Sequence, residues 1–129
     1  MAALSVIGLS RLNGIVVADS KGLVVDCHAK ACQMFQMPRS AMLGVSIGSF
    51  MAPSFRTKHT IAFRMCVAEK RPPRDEPIIG EGLRARKIPF PVEVTLADSY
   101  EYEGGMMFVA EIRDLSKYEF AAPSNGAST

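Results

Sequence analysis

Apolar and polar positions along this chain follow two periods, and each change of period marks a change of element. Ile15 to Ala18 is a continuous run rich in β-branched residues and predicts a strand. Asp19-Ser20-Lys21-Gly22 predicts a turn, with Asp able to bond its own backbone and Gly free to take positive φ. Leu23 to Cys27 then predicts a second strand, with Leu23, Val25 and Cys27 on one face and Val24 and Asp26 on the other. Ala29 to Phe35 switches to helical spacing, with Ala31, Met34 and Phe35 as core positions. Pro38 starts a second short helix, Arg39 to Leu43, which Gly44 ends. Val45 to Phe50 is irregular or helical.

The longest helical stretch starts at Pro53 and Ser54, where a Ser side chain suits a helix start, and runs to Lys70 before Arg71-Pro72-Pro73 stops it. At 100° per residue Phe55, Ala62 and Cys66 share one side with Phe63 at its edge, while Thr57, Thr60 and Arg64 lie opposite. His59 falls in the middle of the apolar side. The chain then returns to strands. Ile78 to Arg86 is interrupted by Gly80 and Gly82, which mark a bulge or a close approach. Phe90 to Leu96 alternates, with Val92, Val94 and Leu96 against Glu93 and Thr95. Gly104-Gly105 predicts a hairpin, after which Met106, Phe108, Ala110 and Ile112 alternate with Met107, Val109, Glu111 and Arg113.

Two strands, three helical segments and three more strands predict an α+β fold: an antiparallel sheet of five strands with its helices on one face. The natural ligand site of such a fold lies between the sheet and the long helix. Its helix wall would be Phe55, His59, Ala62, Phe63 and Cys66, and its sheet wall Val94 and Leu96. Met107 and Val109 put an apolar streak on the other face of the sheet, to be covered by the N-terminal helix or by a homodimer or other partner, with association the favoured reading.

Length and composition narrow the setting. The 129 residues fit one domain, expected over 13–118 between an N-terminal helical extension, 1–12, and a flexible tail, 119–129. A net charge of +2 with mixed signs points to neither nucleic acid nor an anionic membrane. No apolar run is long enough to span a bilayer, and MAALSVIGLSRL lacks the basic start and cleavage site of a signal peptide, so a cytoplasmic location is expected. Three cysteines, Cys27, Cys32 and Cys66, predict reduced thiols rather than a disulfide framework. Cys27, His28 and Cys32 lack a fourth ligand for a structural zinc site. Gly80-Glu81-Gly82 lacks the lysine and following helix of a phosphate loop. Cys66, His59 and Asp75 contain the residue types of a nucleophilic set, but seven residues of helix separate thiol and imidazole by roughly 10 Å of rise. No catalytic residues are expected, and no enzyme activity.

Four segments in order resemble a PAS domain. Gly14-Ile15-Val16-Val17-Ala18-Asp19 with Gly22-Leu23 resembles its first hairpin, and Arg39 to Gly44 its short helix ending in glycine. Phe90-Pro91-Val92-Glu93-Val94 resembles its fourth strand, and Ile112-Arg113-Asp114-Leu115-Ser116 its closing I-R-D-[IL]-[ST] motif. The resemblance covers Asn13 to about Tyr118. His28 stands where the family often has a helix-capping Asn, and the usual Asp-Gly before the fourth strand is replaced by Arg86-Lys87-Ile88-Pro89. The resemblance implies a sensory or regulatory module that binds a small ligand or a protein partner and signals to an attached effector. An association module with a filled core is an alternative. Met51-Ala52-Pro53-Ser54-Phe55-Arg56-Thr57-Lys58-His59 also resembles the MP-x-x-[YF]-R-x-x-H run of rhizobial haem-based oxygen sensors. That likeness implies haem iron on His59, an apolar distal wall of Ile78, Val94 and Leu96, and an oxygen-contacting arginine at the position of Leu83 or Arg84. The flavin photosensor motif N-C-R-F-L-Q has no counterpart in Val45 to Phe50, which lacks cysteine.

Overall fold

Asp19 closes the first hairpin as its position predicts: its Oδ1 accepts from the backbone N–H of Lys21 at 2.9 Å and of Leu23 at 3.0 Å, and Gly22 takes a φ of 83°. The computed structural model describes residues 13–69 and 77–117. The expected N-terminal helix, the Arg71-Pro72-Pro73 stop, Asp75 and the tail lie outside the described residues. The hairpin strands are β1, Gly14–Asp19, and β2, Val24–Cys27. Helices α1, Ala29–Phe35, and α2, Arg39–Met42, follow, then a 3-10 turn over Ile47–Phe50 and the long helix α3, Pro53–Glu69. Strands β3, Ile78–Arg84, β4, Ile88–Tyr102, and β5, Gly105–Asp114, complete the described elements with a 3-10 turn at Leu115–Lys117.

All five strands pair antiparallel in the order β2-β1-β5-β4-β3, so the chain's first and second halves meet at the β1–β5 seam. This is the expected α+β architecture. Helices α1 and α2 lie on one face, where Ala31, Met34, Phe35, Met42 and Phe50 pack with Val16, Val24, Phe90, Val92 and Ile112. Helix α3 covers the same face further along, through Phe63 and Cys66 against Leu96 and Phe108. Each of the larger side chains, Val, Leu, Ile, Phe or Met, contributes about 1.5–3 kcal/mol when taken out of water, and together they hold two otherwise weak short helices on the sheet.

Three local departures from simple periodicity shape the fold. In β2, Val24 and Cys27 point inward and Val25 is 40% exposed, because the register slips by one residue: Val17 pairs with Asp26 but Ala18 with Val24. The expected face of Leu23, Val25 and Cys27 is therefore broken by a bulge. Strand β4 runs well past Leu96, since a second register shift between Leu96 and Asp98 lets Ser99 to Tyr102 keep pairing with β5. The β4–β5 turn is Glu103-Gly104, both at positive φ, with Gly105 already paired to Tyr102. That geometry, one residue earlier than Gly104-Gly105, matches the twist of the strands.

At the α3 start, Ala52 rather than Ser54 is the capping residue, its carbonyl accepting from Phe55 and Arg56. Pro53 takes the first helical position, where its missing N–H costs nothing. His28 caps α1 as the family's Asn would, accepting from the Lys30 N–H at 3.4 Å.

Candidate functional site

Helix α3 reaches the sheet by anchors at its N-terminus. The Ala52 N–H donates to the Glu81 carbonyl, and Arg56 donates to the carbonyls of Gly48 at 2.8 Å and Met51 at 3.0 Å. Phe55 lies over Gly80 so closely that a β-carbon there would overlap its ring. The interrupting glycine of β3 is thus a close-approach glycine. Phe63 then meets Phe108 edge-on with ring centroids 5.4 Å apart. Between these two contacts the helix spans a cavity of about 50 Å³.

Phe55, His59 and Phe63 line that cavity from the helix, with Val94, Leu96, Phe108, Ala110 and Ile112 among the sheet residues opposite. Five of the expected pocket residues, Phe55, His59, Phe63, Val94 and Leu96, are therefore brought together. Cys66 is fully buried but packs with Leu96 and Phe108 beyond the cavity, and Ala62 and Ile78 are half-buried outside its lining. The sheet wall also includes Phe108, Ala110 and Ile112 of β5 and Val16 and Ala18 of β1, which the sequence reading did not place there. On the opposite face Val109 is fully buried with Ile15 and Val17, and Met107 is half-buried.

His59 is 3% exposed, and neither of its ring nitrogens has a hydrogen-bond partner among the described residues. Its neighbours are rings: Phe63 lies nearly parallel at 6.4 Å between centroids and Phe55 tilted at 5.9 Å. Burial without a counter-charge pushes its pKa down to about 4, so the imidazole is neutral at pH 7 with one donor and one acceptor unused. Burial pushes the Cys66 thiol up, away from the thiolate. Cys27 and Cys32 have their sulfurs 3.7 Å apart, and burial pushes Cys27 up to about 12. No group of three or more metal-ligating side chains occurs among the described residues.

A neutral buried imidazole suits iron, but the space beside it does not suit haem. An apolar cavity of about 150 Å³ is what benzene needs, and this one is a third of that, so a porphyrin or a flavin is excluded while α3 keeps this position. The arginine expected near bound oxygen is also elsewhere. Arg84 donates to the Met34 carbonyl, to Asp114 at 3.2 Å and to Ser116 at 3.1 Å, and its guanidinium lies 3.8 Å above the Phe90 ring. Asp114 in turn accepts from the Ser116 N–H and hydroxyl at 2.9 and 2.6 Å. The closing Asp114-Leu115-Ser116 motif is thus the receptor for Arg84, not part of a haem pocket.

A second space opens on the other side of His59. It is a cleft of about 350 Å³ among the β1–β2 turn, the Ile47–Phe50 turn and α3, lined by Lys21, Arg56, Thr60, Arg64 and others. Sequence reasoning placed Arg64 and Thr60 on the far side of the helix and assigned them no role. The signal that could have found the cleft is the set of cations at Lys21, Arg56 and Arg64, brought together only by the fold.

No protein-family model matches the chain, and no curated protein matches it in sequence. Solved structures do match its fold. A PAS domain of an HTR-like protein from Haloarcula marismortui is 23% identical, with a TM-score of 0.63 over 88% of this chain and 89% of its own. A light-oxygen-voltage domain studied with a flavin analogue is 14% identical, with a TM-score of 0.70 over 95% and 90%. A PAS domain in complex with ethanol, from a LuxR-family transcriptional regulator of Burkholderia thailandensis, is 16% identical, with a TM-score of 0.59 over 81% and 89%. The fold is that of PAS domains.

Proposed function

We propose that the chain is a sensory module: it takes a small ligand in the cavity between α3 and the sheet and passes the resulting change in packing to an effector attached beyond Asp114 or before Asn13. The observation that carries this is His59, a buried imidazole with no hydrogen-bond partner among the described residues, facing a void between α3 and the sheet. A polar group left unpaired in such a place costs about 1–3 kcal/mol, which a ligand carrying one polar atom recovers. The ethanol complex of a structural neighbour supports ligands of modest size in this fold. We assign the module no reaction of its own. The void beneath α3 weighs against an association module with a filled core, and its size weighs against a haem-based sensor.

Xenon, which enters dry apolar cavities, tests the reading. In amide and methyl NMR spectra under xenon pressure, saturable shifts are expected at Val94, Leu96, Ala110 and Phe63. Smaller shifts are expected at Asp114 to Ser116, where the sheet leaves the domain. Ala110→Leu, which fills the space, should abolish both. Spectra unchanged by xenon would mean a filled core and would overturn the proposal.

A further inference from the structure

The inner cavity and the outer cleft share three lining residues, Ile47, His59 and Phe63, so one layer of side chains separates them. The two spaces differ sharply in chemistry. The inner one is walled by hydrocarbon and rings except for His59. The outer one presents Lys21, Arg56 and Arg64 with the hydroxyls of Ser20, Ser46 and Thr60, and no carboxylate among its lining residues. The nearest acid along the chain, Asp19, has its Oδ1 committed to the turn N–H groups of Lys21 and Leu23. Arg56 is fixed by backbone carbonyls, whereas Lys21 and Arg64 make no ion pair among the described residues. A cation cluster without acids, next to an apolar void, calls for a molecule that is anionic at one end and apolar at the other.

We infer that this site takes a linear acyl carboxylate, with its head group between Lys21, Arg56 and Arg64 and its chain passing Ile47 and Phe63 toward the cavity under His59. The inference rests on the ligand-binding reading above and specifies its ligand class. The inner space, at about 50 Å³, admits only the end of a chain, so most of the chain lies in the outer cleft of about 350 Å³ beside Ile47 and Phe63. A methylene chain is narrower than a ring and matches the wall of Val94, Leu96 and Phe108. His59 lies in the wall between the two spaces, where a ligand oxygen supplies the partner its ring lacks. Arg56, already holding the start of α3, ties occupancy of the cleft to the seating of that helix.

Isothermal titration of the whole chain with sodium decanoate, 1-decanol and sodium acetate tests the inference. Saturable one-to-one binding of decanoate is expected, at least tenfold weaker for decanol, which lacks the charge, and undetectable for acetate, which lacks the chain. The surface double variant Lys21→Ala/Arg64→Ala should weaken decanoate at least tenfold and leave decanol unchanged, with the same unfolding midpoint as the parent. Decanol binding as well as decanoate, with the double variant unaffected, overturns the carboxylate inference and leaves the cavity reading standing. Acetate binding as well as decanoate reduces the cleft to a simple anion site and overturns the acyl chain. Absence of decanoate binding in a protein that still shows xenon shifts overturns the inference alone, and absence of both overturns the two together.

Discussion

Arg84 and His59 are both polar groups set among phenylalanines on the helix-covered side of the sheet, and they are treated in opposite ways. Arg84 is saturated: a backbone carbonyl, a carboxylate, a hydroxyl and the Phe90 ring all receive it. Around it Phe35, Phe50 and Phe90 pack edge to face at 5.4–5.7 Å between centroids. His59 has rings beside it, a cavity in front of it and no hydrogen-bond partner among the described residues. Arg84 has its acceptors within the chain, whereas His59 faces a void that Phe35 and Phe50 also line. A satisfied buried network fixes a structure, while an unsatisfied one marks where something else is expected to bind.

The strongest way to break the comparison is at the saturated end. Arg84→Ala strands Asp114, whose side chain is 10% exposed, and should cost about 3–5 kcal/mol, read from the urea unfolding midpoint. At the other end the sign is set by the proton. His59 has a folded pKa of about 4 against 6.5 when unfolded, so between these values the unfolded chain binds more protons. The contribution is complete above pH 6.5 and is lost as pH falls to 4, by about 3 kcal/mol. Denaturant melts across that range should show the loss, and His59→Leu should remove it while raising stability at pH 7. Asp114 is a separate case: burial raises its pKa, but the Ser116 and Arg84 bonds outweigh this and hold it below 3.8, so its loss comes at lower pH.

Gly80→Ala tests how α3 is seated. The added β-carbon overlaps the Phe55 ring, and moving the helix start should cost about 1–3 kcal/mol and widen the cavity, read as a lower unfolding midpoint with larger xenon shifts. The smallest effect belongs to the exposed pair of Arg39 and Asp26 at 2.7 Å, where Arg39 is 55% exposed. Arg39→Ala should leave the urea unfolding midpoint nearly unchanged, because water and salt screen such pairs.

The sheet and its inward faces were legible in the sequence wherever alternation was unbroken, as in Val92, Val94 and Leu96 or Phe108, Ala110 and Ile112. Alternation fails at a bulge, and Val24 and Cys27 share the buried side because a single register slip is invisible in residue order. His59 could be placed on the buried side of its helix from spacing alone. Whether it would have a partner could not, since that depends on side chains brought from β1, β4 and β5. The role of Arg84 was hidden for the same reason: its acceptors lie 30 to 50 residues away in the chain. The cation cleft joins Lys21 in a turn to Arg64 on a helix, a pairing that no local pattern contains.

Helix α3 buries only Phe55, His59, Phe63 and Cys66 of its 17 residues, and it leaves Ile61 and Met65 more than half exposed. A helix held so lightly over a void should open well before the domain unfolds. Amide hydrogen exchange of the native chain compares it directly with the strands around Arg84. The expected result is exchange of the α3 amides from Phe55 to Phe63 at an opening free energy clearly below that of β4 and β5, rising when the cavity is occupied. Equal protection of α3 and those strands, unchanged by any occupant, would contradict the division of this core into a finished scaffold and an open site.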